Sequence, residues 1–152
     1  MPQLLQIKKT TTADKDFQLL VTMLDHELWY ELKEDQATYD PHNKVPDIKT
    51  AVVVYNSEEP VAIGCFKEFD KDTVEIKRMF VKKEFRGTGI SKTVLQTLEE
   101  WARDNGYGHA VLETSIRFKT ACNLYKSCGY NEMPKYGPYV DLPESICMRK
   151  SL

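Results

Sequence analysis

Thr73-Val74-Glu75-Ile76-Lys77-Arg78-Met79-Phe80-Val81-Lys82-Lys83-Glu84-Phe85-Arg86-Gly87-Thr88-Gly89-Ile90-Ser91 changes its period partway along. Thr73–Val81 is rich in β-branched and aromatic residues and reads as a strand, while Ile90, Val94, Leu95, Leu98, Trp101 and Ala102 recur at helical spacing. The change falls on Arg86–Gly89, so the stretch predicts strand, tight turn, helix. A turn entering a helix N-terminus leaves backbone N–H groups unpaired and convergent, which suits a phosphate or pyrophosphate. Gly87 and Gly89 remove the Cβ atoms that would bar its approach, although two glycines can also serve only a tight connection. A dinucleotide fingerprint would need glycine in place of Lys92, and a P-loop would need Gly-Lys-Ser/Thr after a four-residue gap; the chain has neither.

Upstream, Ala51–Tyr55 and Val61–Phe69 read as strands joined by Asn56-Ser57-Glu58-Glu59-Pro60, and Asp70-Lys71-Asp72 turns the chain into the central strand, giving an antiparallel meander. Leu4–Lys8 reads as a first, edge strand. A helix is expected from Asp14 to about Lys33, with Phe17, Leu20, Val21, Leu24 and Leu28 inward and Thr12 or Asp14 as its cap. Between Glu34 and Lys49 the pattern dissolves into a polar loop broken by Pro41 and Pro46. Downstream, the helix Ile90–Asp104 stops at Asn105-Gly106, and His109–Thr114 is a strand reached by a right-handed crossover, hence parallel to the central one. Arg117–Cys128 reads as a helix closed by Gly129. A strand then begins at Tyr130, and Ser145–Arg149 is expected to pair with it across the turn Tyr136-Gly137-Pro138-Tyr139.

At 152 residues the chain is long enough to bury a core as one domain over 1–152. A net charge of -2 gives no reason to expect nucleic acid or an anionic membrane. The local basic run Lys77, Arg78, Lys82, Lys83, Arg86 could steer a polyanion or be plain solvated charge. No apolar stretch approaches the ~20 residues of a membrane span, and the start lacks a secretory signal, so a cytoplasmic protein is expected. Cys65, Cys122, Cys128 and Cys147 form no Cys-x-x-Cys pair and read as buried thiols; His26, His42 and His109 are dispersed, so no metal site is expected.

Arg86-x-x-Gly89-x-Ser91, following a strand that ends Arg78-Met79-Phe80-Val81, resembles the acyl-CoA signature of the GNAT family of N-acetyltransferases. Ser91 stands where that family has Gly or Ala. The predicted element order matches the family over essentially the whole chain. The resemblance therefore implies an α/β (α+β) fold, a mixed, mostly antiparallel sheet with a splayed parallel central pair, flanked by helices. It implies acetyl-CoA as cosubstrate, bound by Met79, Phe80, Val81, Arg86, Gly87, Thr88, Gly89, Ile90 and Ser91. The expected acceptor is a small-molecule amine or amino acid. A peptide amine, or a non-catalytic acyl-CoA sensor, is the alternative, and a homodimer is left open.

Acetyl transfer to an amine needs a base, an oxyanion donor and an acid for the departing thiolate. By resemblance Glu75, in Glu-x-Lys-Arg-Met-x-Val, is the base, with Glu113 on the neighbouring strand as its alternative. An ion pair with Lys77 or another strand-surface charge is the structural reading of the same residue. Tyr125, in Leu124-Tyr125-x-x-x-Gly129-Tyr130, resembles the family's acid, although its spacing also fits a core aromatic. Phe118 holds the place of a family Asn that contacts the cofactor. The N–H of Phe80 is the expected oxyanion donor. Tyr30, Glu34, Tyr39, Tyr136 and Tyr139 are the candidate acceptor contacts.

Overall fold

The computed structural model describes residues 5–32 and 47–152. The elements are β1 (Leu5–Thr10), α1 (Lys15–Leu32), β2 (Ala51–Asn56), β3 (Glu59–Asp70), β4 (Thr73–Val81), a single 3-10 turn (Lys83–Phe85), α2 (Ile90–Asp104), β5 (His109–Ser115), α3 (Lys119–Ser127), β6 (Asn131–Met133), a second 3-10 turn (Gly137–Tyr139) and β7 (Ser145–Ser151). The strands make one seven-stranded sheet in the order β1-β2-β3-β4-β5-β7-β6. The chain forms two compact units, Met1–Phe66 with Lys77–Leu98, and Lys67–Ile76 with Glu99–Leu152. None of the described helices is long and apolar enough to cross a membrane.

In the first unit, Phe17 and Leu20 of α1 pack with Ile48, Ala51, Val53, Ile63, Cys65 and Phe80. The helix starts where the Asp14 carboxylate accepts the N–H groups of Asp16 (2.8 Å) and Phe17 (3.1 Å), satisfying two of the donors that a helix N-terminus leaves open. Strand β3 begins two residues before the expected Val61, so the β2–β3 turn is only Ser57-Glu58, with Ser57 at φ 56. Pro60 lies opposite Tyr55 beside a register shift, a place where a strand tolerates a residue without an N–H. Gly64 answers a different need. A Cβ there would stand 2.7 Å from Val94, 2.8 Å from Met79 and 2.9 Å from Leu98, so only hydrogen lets α2 lie this close to β3.

In the second unit, β5 runs parallel to the start of β4, with Thr73, Val74 and Glu75 opposite His109, Ala110 and Val111. β7 pairs antiparallel with β6, as expected, and along all of β5 as well, so it lies between them. α3 begins at Lys119 rather than Arg117, because the N–H groups of Arg117 and Phe118 are first taken by the Ser115 hydroxyl (3.1 Å) and carbonyl (3.0 Å).

β4 itself is irregular. Arg78 adopts φ 57, a left-handed conformation that is unfavourable for a residue with a Cβ and that interrupts a strand's regular course.

Candidate functional site

The turn after β4 leaves a run of backbone N–H groups open. Phe85 and Arg86 donate their N–H groups back to Lys82 and Lys83, and the Thr88 hydroxyl donates to the Phe85 carbonyl at 2.6 Å. The N–H groups of Gly87, Thr88, Gly89, Ile90, Ser91 and Lys92 then have no acceptor among the described residues, and the next bond runs from Thr93 to the Gly89 carbonyl. Gly87 and Gly89 sit at φ 78 and 85, where glycine carries no penalty, and a Cβ at either would meet nothing within 4 Å. Successive unpaired N–H groups beside open space and a helix N-terminus suit a phosphate or diphosphate. Lys92 was not among the expected residues, and its N–H is open as theirs are.

Arg86 is engaged elsewhere. Its Nη2 donates to both Glu27 oxygens (2.9 and 2.7 Å), its Nε to the Val81 carbonyl (2.9 Å), and its guanidinium lies 5.6 Å from the centre of the Phe80 ring. This side chain fastens the turn to α1, leaving the backbone to meet an anion. Phe80 and Val81 are buried and Met79 packs beside Gly64.

The carboxylates lie in the second unit. Glu75 is 5% exposed and accepts a hydrogen bond from the Tyr136 hydroxyl at 2.9 Å. Its ion-pair partner is Lys67, at 3.8 Å from Oε1. The Tyr136 phenol is pushed well above the ordinary tyrosine range, by burial first and by the Glu75 charge second, so it remains a donor at every working pH. Its ring meets Phe69 edge-on at 4.9 Å and Tyr139 at 5.6 Å. The expected acceptor residues Tyr136 and Tyr139 thus stand with the expected base. Glu113, on β5 two residues past Val111, accepts from the Ser145 hydroxyl at 2.7 Å.

Tyr125 is buried, with its ring edge-on to Tyr130 at 6.0 Å, and its hydroxyl makes no hydrogen bond among the described residues. Burial is the main cause that lifts its phenol above the ordinary range, with Cys122, Cys128 and Glu113 adding to it. Tyr130 is held in turn by Glu99, which takes its hydroxyl at 2.9 Å and the Lys150 ammonium at 2.8 Å.

Of the remaining candidates, Tyr30 is 74% exposed on α1, and Glu34 and Tyr39 lie outside the described residues. Lys67 and Phe69 were not anticipated. They are two apart on β3 and so share a face, a signal that strand alternation carries once the strand's full length is known.

The model of the Acetyltransferase (GNAT) family matches residues 14–130. A protein of Azospirillum brasilense named IAA acetyltransferase is 37% identical over 78 residues, 51% of this chain and 51% of that protein. An N-acetyltransferase of Bacillus subtilis called YsnE and described as uncharacterized is 33% identical over 100 residues, 64% of this chain and 66% of that protein. The chain thus spans about half the length of the first relative, and its match to an N-acetyltransferase 14 of Xenopus tropicalis spans 40% of that protein. Among solved structures, a Klebsiella pneumoniae protein described provisionally as an acyl-CoA N-acyltransferase superposes with a TM-score of 0.80 at 25% identity, covering 98% of each chain.

Proposed function

The chain belongs to the GNAT family of acetyltransferases, and on that premise we propose that it acetylates the primary amine of a small molecule or amino acid by direct attack in a ternary complex. Acetyl-CoA, the family's acyl donor, supplies the activated thioester carbonyl when bound. The N–H groups of residues 87–92 would receive its diphosphate, a fit supported by their lack of other acceptors and by the open space at Gly87 and Gly89.

Glu75 is the base. The observation that carries this assignment is its burial with Tyr136 on Oε2, which fixes the carboxylate while no hydrogen bond from the described residues occupies Oε1. Oε1 takes the proton from the attacking nitrogen, directly or through one water. Tyr125, still protonated at neutral pH, gives its proton to the thiolate as the carbon–sulfur bond breaks. The N–H of Phe80, two residues after the irregularity at Arg78, is assigned to the oxyanion. Direct attack is favoured over an acyl-enzyme because burial pushes the Cys122 and Cys147 thiols up, away from the thiolate form a nucleophile needs.

Thiol release from acetyl-CoA, followed with a panel of amines on the wild type and on Glu75→Gln, tests this reading. The expected outcome is turnover with at least one amine and a loss of about 10²-fold or more in kcat in the variant. Binding of acetyl-CoA without release for any amine, together with an indifferent Glu75→Gln, would leave a sensor that holds the cofactor and does no chemistry.

A further inference from the structure

Glu75 Oε2 is occupied by Tyr136, and the Lys67 ammonium stands 3.8 Å from Oε1, too long for a hydrogen bond. The Lys67 side chain is 44% exposed against 6% for that of Glu75, so the cation stands on the open side of a buried carboxylate. We propose that the acceptor is an amino acid, or another amine with a carboxylate beside it, and that Lys67 is the residue that receives that carboxylate. The proposal rests on the reading of Glu75 as the base.

Charge balance carries it. The ion-pair partner of the buried Glu75 carboxylate is the Lys67 ammonium, while Glu113 is bonded to Ser145 and the Lys135 ammonium donates to the Leu142 carbonyl at 2.7 Å. The Glu75–Lys67 pair carries no net charge. A simple amine arrives as an ammonium ion and brings that sum to +1, with two cations competing for one buried carboxylate. An amino acid arrives as a zwitterion and leaves the sum at zero.

The proton transfer sharpens the requirement. As the N–H bond breaks and the proton passes to Oε1, Glu75 becomes neutral and Lys67 loses its counter-ion. A carboxylate two bonds from the nitrogen supplies the missing charge at the moment the nucleophile forms, so it favours the step as well as the binding. Phe69, 43% exposed and edge-on to Tyr136, offers an apolar wall beside the same carboxylate for the rest of the substrate.

The test measures thiol release with a series of L-amino acids, each matched with its α-amide and its decarboxylated amine. It is run on the full chain and on Lys67→Met and Lys67→Arg. The acid should be preferred to the amide by about tenfold or more in kcat/KM, chiefly through KM. That ratio should fall toward one in Lys67→Met and persist in Lys67→Arg. A measurement needing no variant accompanies it: added salt should raise KM for the acid more than for the amide. Amides or plain amines used as well as acids, or a Lys67→Met that weakens both alike, would overturn the carboxylate assignment and leave the acetyltransferase reading standing. Thiol release with no amine of any kind would overturn both.

Discussion

Gly89 shows what a single position can separate. Its φ of 85 belongs to the region that an L side chain enters at a cost of about 1–2 kcal/mol, while the space around a Cβ there is empty. Gly89→Ala should therefore lower stability by about 1 kcal/mol through the backbone alone, a shift readable in urea unfolding. Its methyl would stand among the N–H groups left without acceptors, so acetyl-CoA affinity should fall by more than the stability loss explains. Calorimetric titration checks this, and Gly89→Glu should abolish binding by adding bulk and negative charge at the proposed diphosphate position. Unchanged affinity in both variants would remove that assignment. The glycines were legible in the sequence because only conformation and space decide them. The role of the Arg86 side chain was not, because its partner Glu27 lies 59 residues away on α1.

At the scale of elements, Gly64 decides how β3 meets α2. The three atoms within 2.9 Å of its virtual Cβ belong to Val94, Met79 and Leu98, two of them on a helix fixed by buried leucines and a valine. Gly64→Ala should cost about 1–3 kcal/mol by overpacking, with the urea midpoint lowered and the slope unchanged. A variant as stable as the wild type would mean that α2 yields freely. α2 itself was read from the sequence with its observed limits, Ile90 and Asp104, since one apolar stripe and an Asn-Gly stop determine it locally. The place of β7 between β5 and β6 was not readable. Alternation says that Ser145–Arg149 is a strand, but which strands it pairs with depends on contacts far along the chain, such as Ser115 with Ser145 and His109 with Ser151. Glu75 divides in the same way. Its place on the central strand and its pairing with a strand-surface charge were local expectations, met by Lys67 in place of Lys77, whereas its hydrogen-bond partner Tyr136 lies 61 residues on.

For the molecule as a whole, the buried phenols set a limit at high pH. Burial is the largest cause that raises Tyr55, Tyr125, Tyr130 and Tyr136 above the ordinary range, reinforced by Asp16 at Tyr55, Glu99 at Tyr130 and Glu75 at Tyr136. In the unfolded chain each phenol ionises near ~10. Below that pH both states hold these protons and stability does not depend on them. Above it the unfolded chain releases protons that the folded chain keeps, so stability falls as pH rises. Each such group contributes a slope of about 1.4 kcal/mol per pH unit, so the deeply buried Tyr125 and Tyr130 together give about 3. Set against a typical domain stability of about 5–15 kcal/mol, this predicts cooperative unfolding within a few pH units above ~10. The chain has 8 tyrosines, and the buried ones should contribute tyrosinate absorbance only in step with the loss of far-UV circular dichroism. If all of them titrate near ~10 with the dichroism intact, the phenols of Tyr125 and Tyr136 are not shielded as described.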